Sequence, residues 1–223
     1  SLVASVAVLL SVSIWVLWPS NLNASSVLQE ARQAAAEMVD RTYRMVETHP
    51  NAKGRPTTRE LTITVRGGGR FVVQPEHGDY VLGSDGTDYW MARKNGPVCV
   101  TGDFRKLAPE LQRQIPNRRL LNDVLASPDE PLLLGISDLL SLIERRYDIE
   151  LIDSENPTEH HVRATRRSLV RRRPSVINLH ADAKTGVVLK AEVNFADSRQ
   201  RTWELIETST LSDQWYHHSE YAP

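Results

Sequence analysis

The sequence predicts an α+β domain built on an antiparallel sheet, and three observations carry that expectation. An Ala-rich stretch of helical period precedes the first apolar alternation. After it come many short runs of period two, separated by turns rich in Gly, Asn and Asp. Strands and helices do not alternate as the crossovers of a parallel sheet require.

Taken in order, Ser26 with Gln29 reads as a capping box. Val27, Ala31, Ala34, Ala35 and Met38 then recur at helical spacing, predicting one amphipathic helix over 26–40. Residues 41–48 lose this pattern, and His49-Pro50 with Gly54 and Pro56 marks a loop. From Arg59 the period is two: Leu61, Ile63 and Val65 alternate with Thr62 and Thr64, and Gly67-Gly68-Gly69 turns the chain into Phe71 and Val73. Strands follow over 80–83, 87–92 and 98–101, with Asp85-Gly86 and Asn95-Gly96 as hairpin turns, because these residues tolerate positive φ.

The middle of the chain, 106–146, holds Leu- and Ile-rich stretches broken by Pro109, Pro116 and Pro128, which predicts short helices. Strands return over 149–152, 159–165, 175–181, 187–195 and 201–207. In the clearest of these, Val187, Leu189, Ala191, Val193 and Phe195 are expected on one face, after a turn at 182–186.

Composition narrows the function. Lys and Arg total 27 against 28 Asp and Glu, a net charge of −1, which argues against a nucleic-acid partner. One Cys permits neither an intramolecular disulfide nor a Cys-based zinc site. Residues 2–18 carry no charge, and the first charged side chain is Glu30. About 20 apolar residues cross a bilayer core, so this run with its flanks predicts a transmembrane helix, with Trp15 and Trp18 at the headgroups and Pro19 as a stop. A signal peptide and a buried helix are the alternatives. Both the anchor and the signal peptide place the remainder outside the cytoplasm. The expected organisation is an anchor over 1–19, a linker over 20–25, a main domain over 26–210 and a tail over 211–223, with Trp215-Tyr216 docking the tail on the sheet.

Four features, in order, resemble the outer-membrane lipoprotein carrier superfamily, the LolA/LolB-like fold that includes the sigma-regulator domain RseB. They are the Ala-rich helix before the first strand (26–43), the RGGGRFVV strand pair (66–73), the SDGTDYWMA hairpin (84–92) and the long hairpin over 179–205. The resemblance implies a strongly curved antiparallel half-barrel with helices covering its concave face, around an apolar cavity that takes acyl chains. It also implies a bacterial, periplasmic setting. Cys99, the only Cys, lies within the chain, so a LolB-type lipid anchor is not expected.

On that reading the cavity is lined by Leu61, Ile63, Val65, Phe71, Val73, Trp90, Val187, Leu189, Val193, Phe195, Trp203 and Leu205. An acyl chain gains ~0.8 kcal/mol per buried CH₂. The alternative for each of these residues is ordinary core packing. Arg163, Arg166, Arg167, Arg171, Arg172 and Arg173 are candidates for anionic headgroups near a bilayer, because a guanidinium presents a planar fork to oxyanions; a solvated hairpin is the plainer alternative.

His160-His161 and His217-His218 suggest a metal only weakly, since neighbouring residues on a strand face opposite ways. Cys99, between two Val, reads as a small buried hydrophobe. No nucleophile elbow, P-loop or zinc-protease motif is present. The expected function is therefore non-enzymatic and cofactor-free: a membrane-tethered domain binding lipid or an acylated protein, anchored in the inner membrane through 2–18. The alternative is a protein-interaction sensor on the same fold, regulating a cytoplasmic partner such as a sigma-factor system.

Overall fold

A computed structural model describes residues 22–50, 56–77, 80–94, 96–107, 135–167 and 174–222. The expected anchor over 2–18 lies outside the described residues. Among those described, no helix is long and apolar enough to cross a membrane.

Helix α1 (Ala24–Ala36) starts two residues earlier than its sequence pattern suggested. Asn23 is the cap: its Oδ1 accepts the Ser26 N–H at 3.0 Å, and Ser26 Oγ accepts the Asn23 N–H at 3.2 Å. The expected continuation to residue 40 fails because Glu37 takes an extended conformation and the chain turns into a strand. Met38, predicted on the apolar face, is exposed.

Eleven strands then form one antiparallel sheet. They are β1 (Asp40–Pro50), β2 (Pro56–Arg66), β3 (Arg70–Pro75), β4 (Tyr80–Asp85), β5 (Tyr89–Arg93), β6 (Val98–Thr101), β7 (Tyr147–Ile152), β8 (Glu159–Arg166), β9 (Pro174–Asp182), β10 (Val188–Phe195) and β11 (Gln200–Ser209). Helix α2 (Ile136–Arg146) enters directly into β7. The spatial order is β6-β5-β4-β3-β2-β1-β11-β10-β9-β8-β7. The chain thus walks outward from β1 to one edge, crosses to the other edge through residues 102–146, and walks back until β11 pairs with β1. An open sheet of this width curls, because twist accumulates from strand to strand. Register shifts at Thr42/Tyr43, Val188/Lys190 and Asn194/Phe195 add local bends. The arrangement fits a curved half-barrel with helices on one face.

Strand β1 was not evident in the sequence. On its helix-facing side Arg41 and Glu47 accompany Tyr43 and Met45, and all four are buried, so charge interrupts the apolar period. The two charges are paired: Arg41 Nη2 donates to Glu37 at 2.6 Å, and Arg201 Nε donates to Glu47 at 2.8 Å.

The helix face carries an unbroken cross-strand row of Leu61, Met45, Trp203, Ala191, Leu179, Val162 and Leu151. Leu28 and Ala31 of α1, with Leu139 and Ile143 of α2, belong to the same buried cluster. Each fully buried Val, Leu, Ile or Met contributes about 1.5–3 kcal/mol. This layer is therefore the main stabilising element of the described fold.

The opposite, outer face has its own smaller cluster of Val72, Trp90, Ala92 and Tyr216. It is covered by the C-terminal tail, in short 3-10 turns over Asp213–Tyr216 and His218–Tyr221. Trp90 Nε1 donates to the Tyr216 carbonyl at 2.9 Å, and the Trp90 and Tyr221 rings stack 4.7 Å apart. The tail docks through Tyr216, as its aromatic pair suggested, while Trp215 is half-buried beside the same cluster.

Candidate functional site

Of the twelve residues expected to line an apolar cavity, Leu61, Ile63, Val73, Val193, Phe195 and Trp203 are buried in the helix-face cluster. Val65, Phe71 and Leu205 are half-buried against it. Three are placed differently. Trp90 faces outward, because Tyr89, not Trp90, shares the side of Met91's neighbours in the cluster packed by Phe71 and Phe104: Tyr89 is 5.4 Å from the Phe104 ring, whereas Trp90 lies over Gly83. Val187 and Leu189 are half-buried and outside both clusters. The register shift between Val188 and Lys190 inserts an extra residue, so Val188 takes the core position that strict alternation gave to Leu189.

A groove of about 690 Å³ opens between α1 and α2 above the start of β7. Its size falls in the range of small-molecule sites, ~300–1,000 Å³. Leu28 and Ala36 of α1, Leu140 of α2, and Tyr147 and Ile149 of β7 supply its apolar lining. Ser25, Gln29 and Gln33 supply neutral polar groups, and Arg32, Glu144 and Arg167 supply charge. None of the twelve expected cavity residues lines this groove.

Local structure explains the lining. Helix periodicity puts Leu28, Arg32 and Ala36 on one stripe of α1. The direct passage from α2 into β7 places Tyr147 beneath the helix that precedes it. Tyr147 is fixed there, its hydroxyl donating to the Pro174 carbonyl at 2.8 Å. Arg32 Nη1 reaches Glu144 at 2.6 Å, so one ion pair joins α1 to α2 beside the groove. Arg167 Nε reaches Asp148 at 2.8 Å. Both pairs are well exposed and contribute little to stability. At the start of α2, burial pushes the Asp138 carboxyl up to about 7.

The Arg-rich stretch is divided by the fold. Arg167 lines the groove, while Arg163 lies near Glu150 (3.7 Å) and Asn178 (3.5 Å). Arg166 is half-buried opposite Tyr147 in the β7–β8 ladder. Arg171, Arg172 and Arg173 lie outside the described residues. Sequence reasoning missed Arg32, Leu28, Leu140, Tyr147 and Ile149 as a set. The available signal was the helical stripe Leu28–Arg32–Ala36, an apolar face interrupted by one cation.

The histidines do not converge on a metal. His161 stacks on His180 with ring centroids 4.4 Å apart, and His217 hydrogen-bonds Ser219 in the tail. Among the described residues no three His, Cys, Asp or Glu side chains gather as a ligand set. Cys99 is half-buried against the helix-face cluster. Asp85 accepts the Thr87 and Asp88 N–H groups in its turn, with Gly86 at φ +94°.

No family model matches the chain, and no curated protein matches it. The structure is similar to several solved structures at low sequence identity. One is a LolA superfamily protein from Nitrosomonas europaea, with 9% identity, 89% of this chain and 99% of that one covered, and a TM-score of 0.39. Another is a DUF1329 family protein from Desulfovibrio piger, with 13% identity, 89% and 99% covered, and a TM-score of 0.41. A third is a chain of the Pseudomonas aeruginosa MucA/MucB complex, with 16% identity, 88% of this chain but 62% of that chain covered, and a TM-score of 0.39.

Proposed function

We propose that this chain is a non-enzymatic domain of the bacterial cell envelope that binds the acyl chain of a lipid or an acylated protein. Residues 2–18 tether it to the inner membrane, with the main domain in the periplasm. The observation that carries this reading is the groove between α1 and α2, which opens beside a broad apolar cluster to which both helices contribute side chains. The cleft admits one end of the chain. Parting the helices extends the path toward Leu61, Ile63, Val73, Val193, Phe195 and Trp203 on the helix face.

Native mass spectrometry of the full chain from mild detergent tests this. Co-purifying lipid or acylated peptide is the expected result, with the Leu140→Trp variant, which fills the groove, carrying less. Protein that stays empty, takes up no fluorescent long-chain fatty acid, and is unaffected by Leu140→Trp would overturn the reading.

The second reading is a sensor that engages a protein and regulates a cytoplasmic partner such as a sigma-factor system. It is favoured by edge strand β7, which pairs on one side only among the described strands and exposes Leu151. An exposed edge with apolar side chains is a template for an added strand. Pro substitution at Leu151 separates the two readings, since it blocks strand addition at a residue outside the groove.

A further inference from the structure

The groove joins an apolar lining to two guanidinium groups, Arg32 and Arg167, and one carboxylate, Glu144, and this combination defines its ligand more narrowly than an acyl chain alone. Arg32 comes from α1, and Arg167 follows β8; the chain brings them from distant positions to line the same cleft. Each guanidinium uses a single nitrogen on a protein carboxylate: Nη1 of Arg32 on Glu144, and Nε of Arg167 on Asp148. Among the described residues, the remaining N–H donors of both side chains stay open to an incoming group. Their carboxylate partners are more than half exposed and are held by one contact each. Exposed pairs of this kind exchange readily, because water and salt screen them. An oxyanion with two or three oxygens satisfies the guanidinium fork better than a carboxylate gripped through one nitrogen.

We infer that the occupant of the groove is a single-chain anionic amphiphile whose terminal oxyanion, a carboxylate or a phosphate monoester, sits at Arg32 and Arg167 while its hydrocarbon lies along Leu28, Leu140, Tyr147 and Ile149. This rests on the acyl-binding reading above and adds the chemistry of the polar end. The oxyanion displaces Glu144 from Arg32, so binding also undoes the ion pair between α1 and α2. The ligand thereby removes the exposed ion pair that joins the two helices beside the groove, while their apolar contacts remain.

The test compares a fluorescent long-chain fatty acid, its uncharged methyl ester and a lysophosphatidate on the full chain. The wild type is expected to bind the acid or the lysophosphatidate about tenfold more tightly than the ester, the size expected for one charge-assisted contact. The tighter of the two anions identifies the source of the oxyanion. In the Arg32→Gln/Arg167→Gln double variant that preference disappears, and Leu140→Trp weakens all three probes. Equal binding of acid, lysophosphatidate and ester, unchanged in the double variant, overturns the assignment of the polar end and leaves the acyl reading standing. Failure of every probe to bind overturns both.

Discussion

Asp40 and Arg66 form a two-point ion pair beneath the C-terminal tail: Nε and Nη2 of Arg66 each donate to one carboxylate oxygen of Asp40 at 2.7 Å. The same carboxylate accepts the Leu211 N–H at 2.6 Å and the Tyr216 hydroxyl. Arg66 in turn donates to Asp213 at 2.6 Å and lies 5.0 Å from the centre of the Tyr216 ring. The first residue of β1 and the last of β2 thus hold a distant segment, Leu211 lying 171 residues from Asp40 and 145 from Arg66. The tail is part of the fold's outer face.

Removing one partner of a buried pair costs about 3–5 kcal/mol when the other charge is left uncompensated, and among the described residues Arg66 would keep only the exposed carboxylate of Asp213. Asp40→Ala is therefore expected to lower stability by up to about 3 kcal/mol, read from the urea midpoint, and to expose Trp90 to water, read as a red shift in fluorescence. Burial alone would raise the Asp40 carboxyl, but hydrogen bonds from Arg66, Leu211 and Tyr216 outweigh it and hold the group below 3.8. A depressed carboxylate lends stability that is present above its unfolded value and is lost as pH falls through the folded one. The wild type should accordingly lose stability below about pH 4, and Asp40→Asn should flatten that acid limb. An acid limb identical in the two proteins would refute this account.

Gly83 and Trp90 make a second demand on the outer face. They are cross-strand partners, and a Cβ on Gly83 would stand 2.2 Å from Cζ2 of the Trp90 ring. Gly83→Ala is expected to cost about 1–3 kcal/mol through overpacking and to change the near-ultraviolet dichroism of the tryptophans. A loss under about 0.5 kcal/mol, the size of an ordinary surface substitution, would mean that the ring yields freely.

Sheet class and several turns were legible in the sequence because they follow from local chemistry. Asp85-Gly86 and the three glycines after Arg66 turn the chain where positive φ is needed, with Gly68 and Gly69 at +79° and +77°. Gly67 has a different reason, which no local pattern reveals: a Cβ there would meet the Ala36 carbonyl oxygen at 2.2 Å, at the end of α1. Strand β1 was hidden because two of its helix-facing residues are charged. Trp90 was assigned to the helix face because alternation in a short strand says which residues share a side, not which side the helices take. The tail's cover on the outer face decides that question, through the long-range contact of Tyr216 with Trp90. The groove was illegible for the same reason, being assembled from α1, α2 and β7.

Glu47 and Arg201 are neighbours across β1 and β11, both nearly inaccessible to water on the helix face. Arg201 also lies 5.5 Å from the centre of the Phe195 ring. Glu47→Ala should destabilise by about 3–5 kcal/mol, because the Arg201 charge loses this partner in a low-dielectric layer. Replacing both Glu47 and Arg201 with apolar residues of similar volume should recover most of that loss. Additive losses in the double variant, measured in a urea-based mutant cycle, would show that the two side chains do not act as a pair.

His161 and His180 stack on the β8–β9 ladder, where they are direct cross-strand partners. Burial first, and the facing His180 second, lower the His161 pKa below 6.5; Arg163 adds to the effect, while Asn178 and Glu192 oppose it. Glu159 faces His180 from 3.6 Å. A histidine with a depressed folded pKa resists protonation in the native state, so the unfolded chain takes up the proton first as pH falls. Stability should therefore be full above 6.5 and decline below it until the folded pKa is passed. Urea midpoints between about pH 8 and about pH 5, the interval over which histidine titrates, measure the effect. His161→Gln should remove most of the slope in that interval while changing the midpoint at the alkaline end little. A slope that persists unaltered in His161→Gln would assign it to another group.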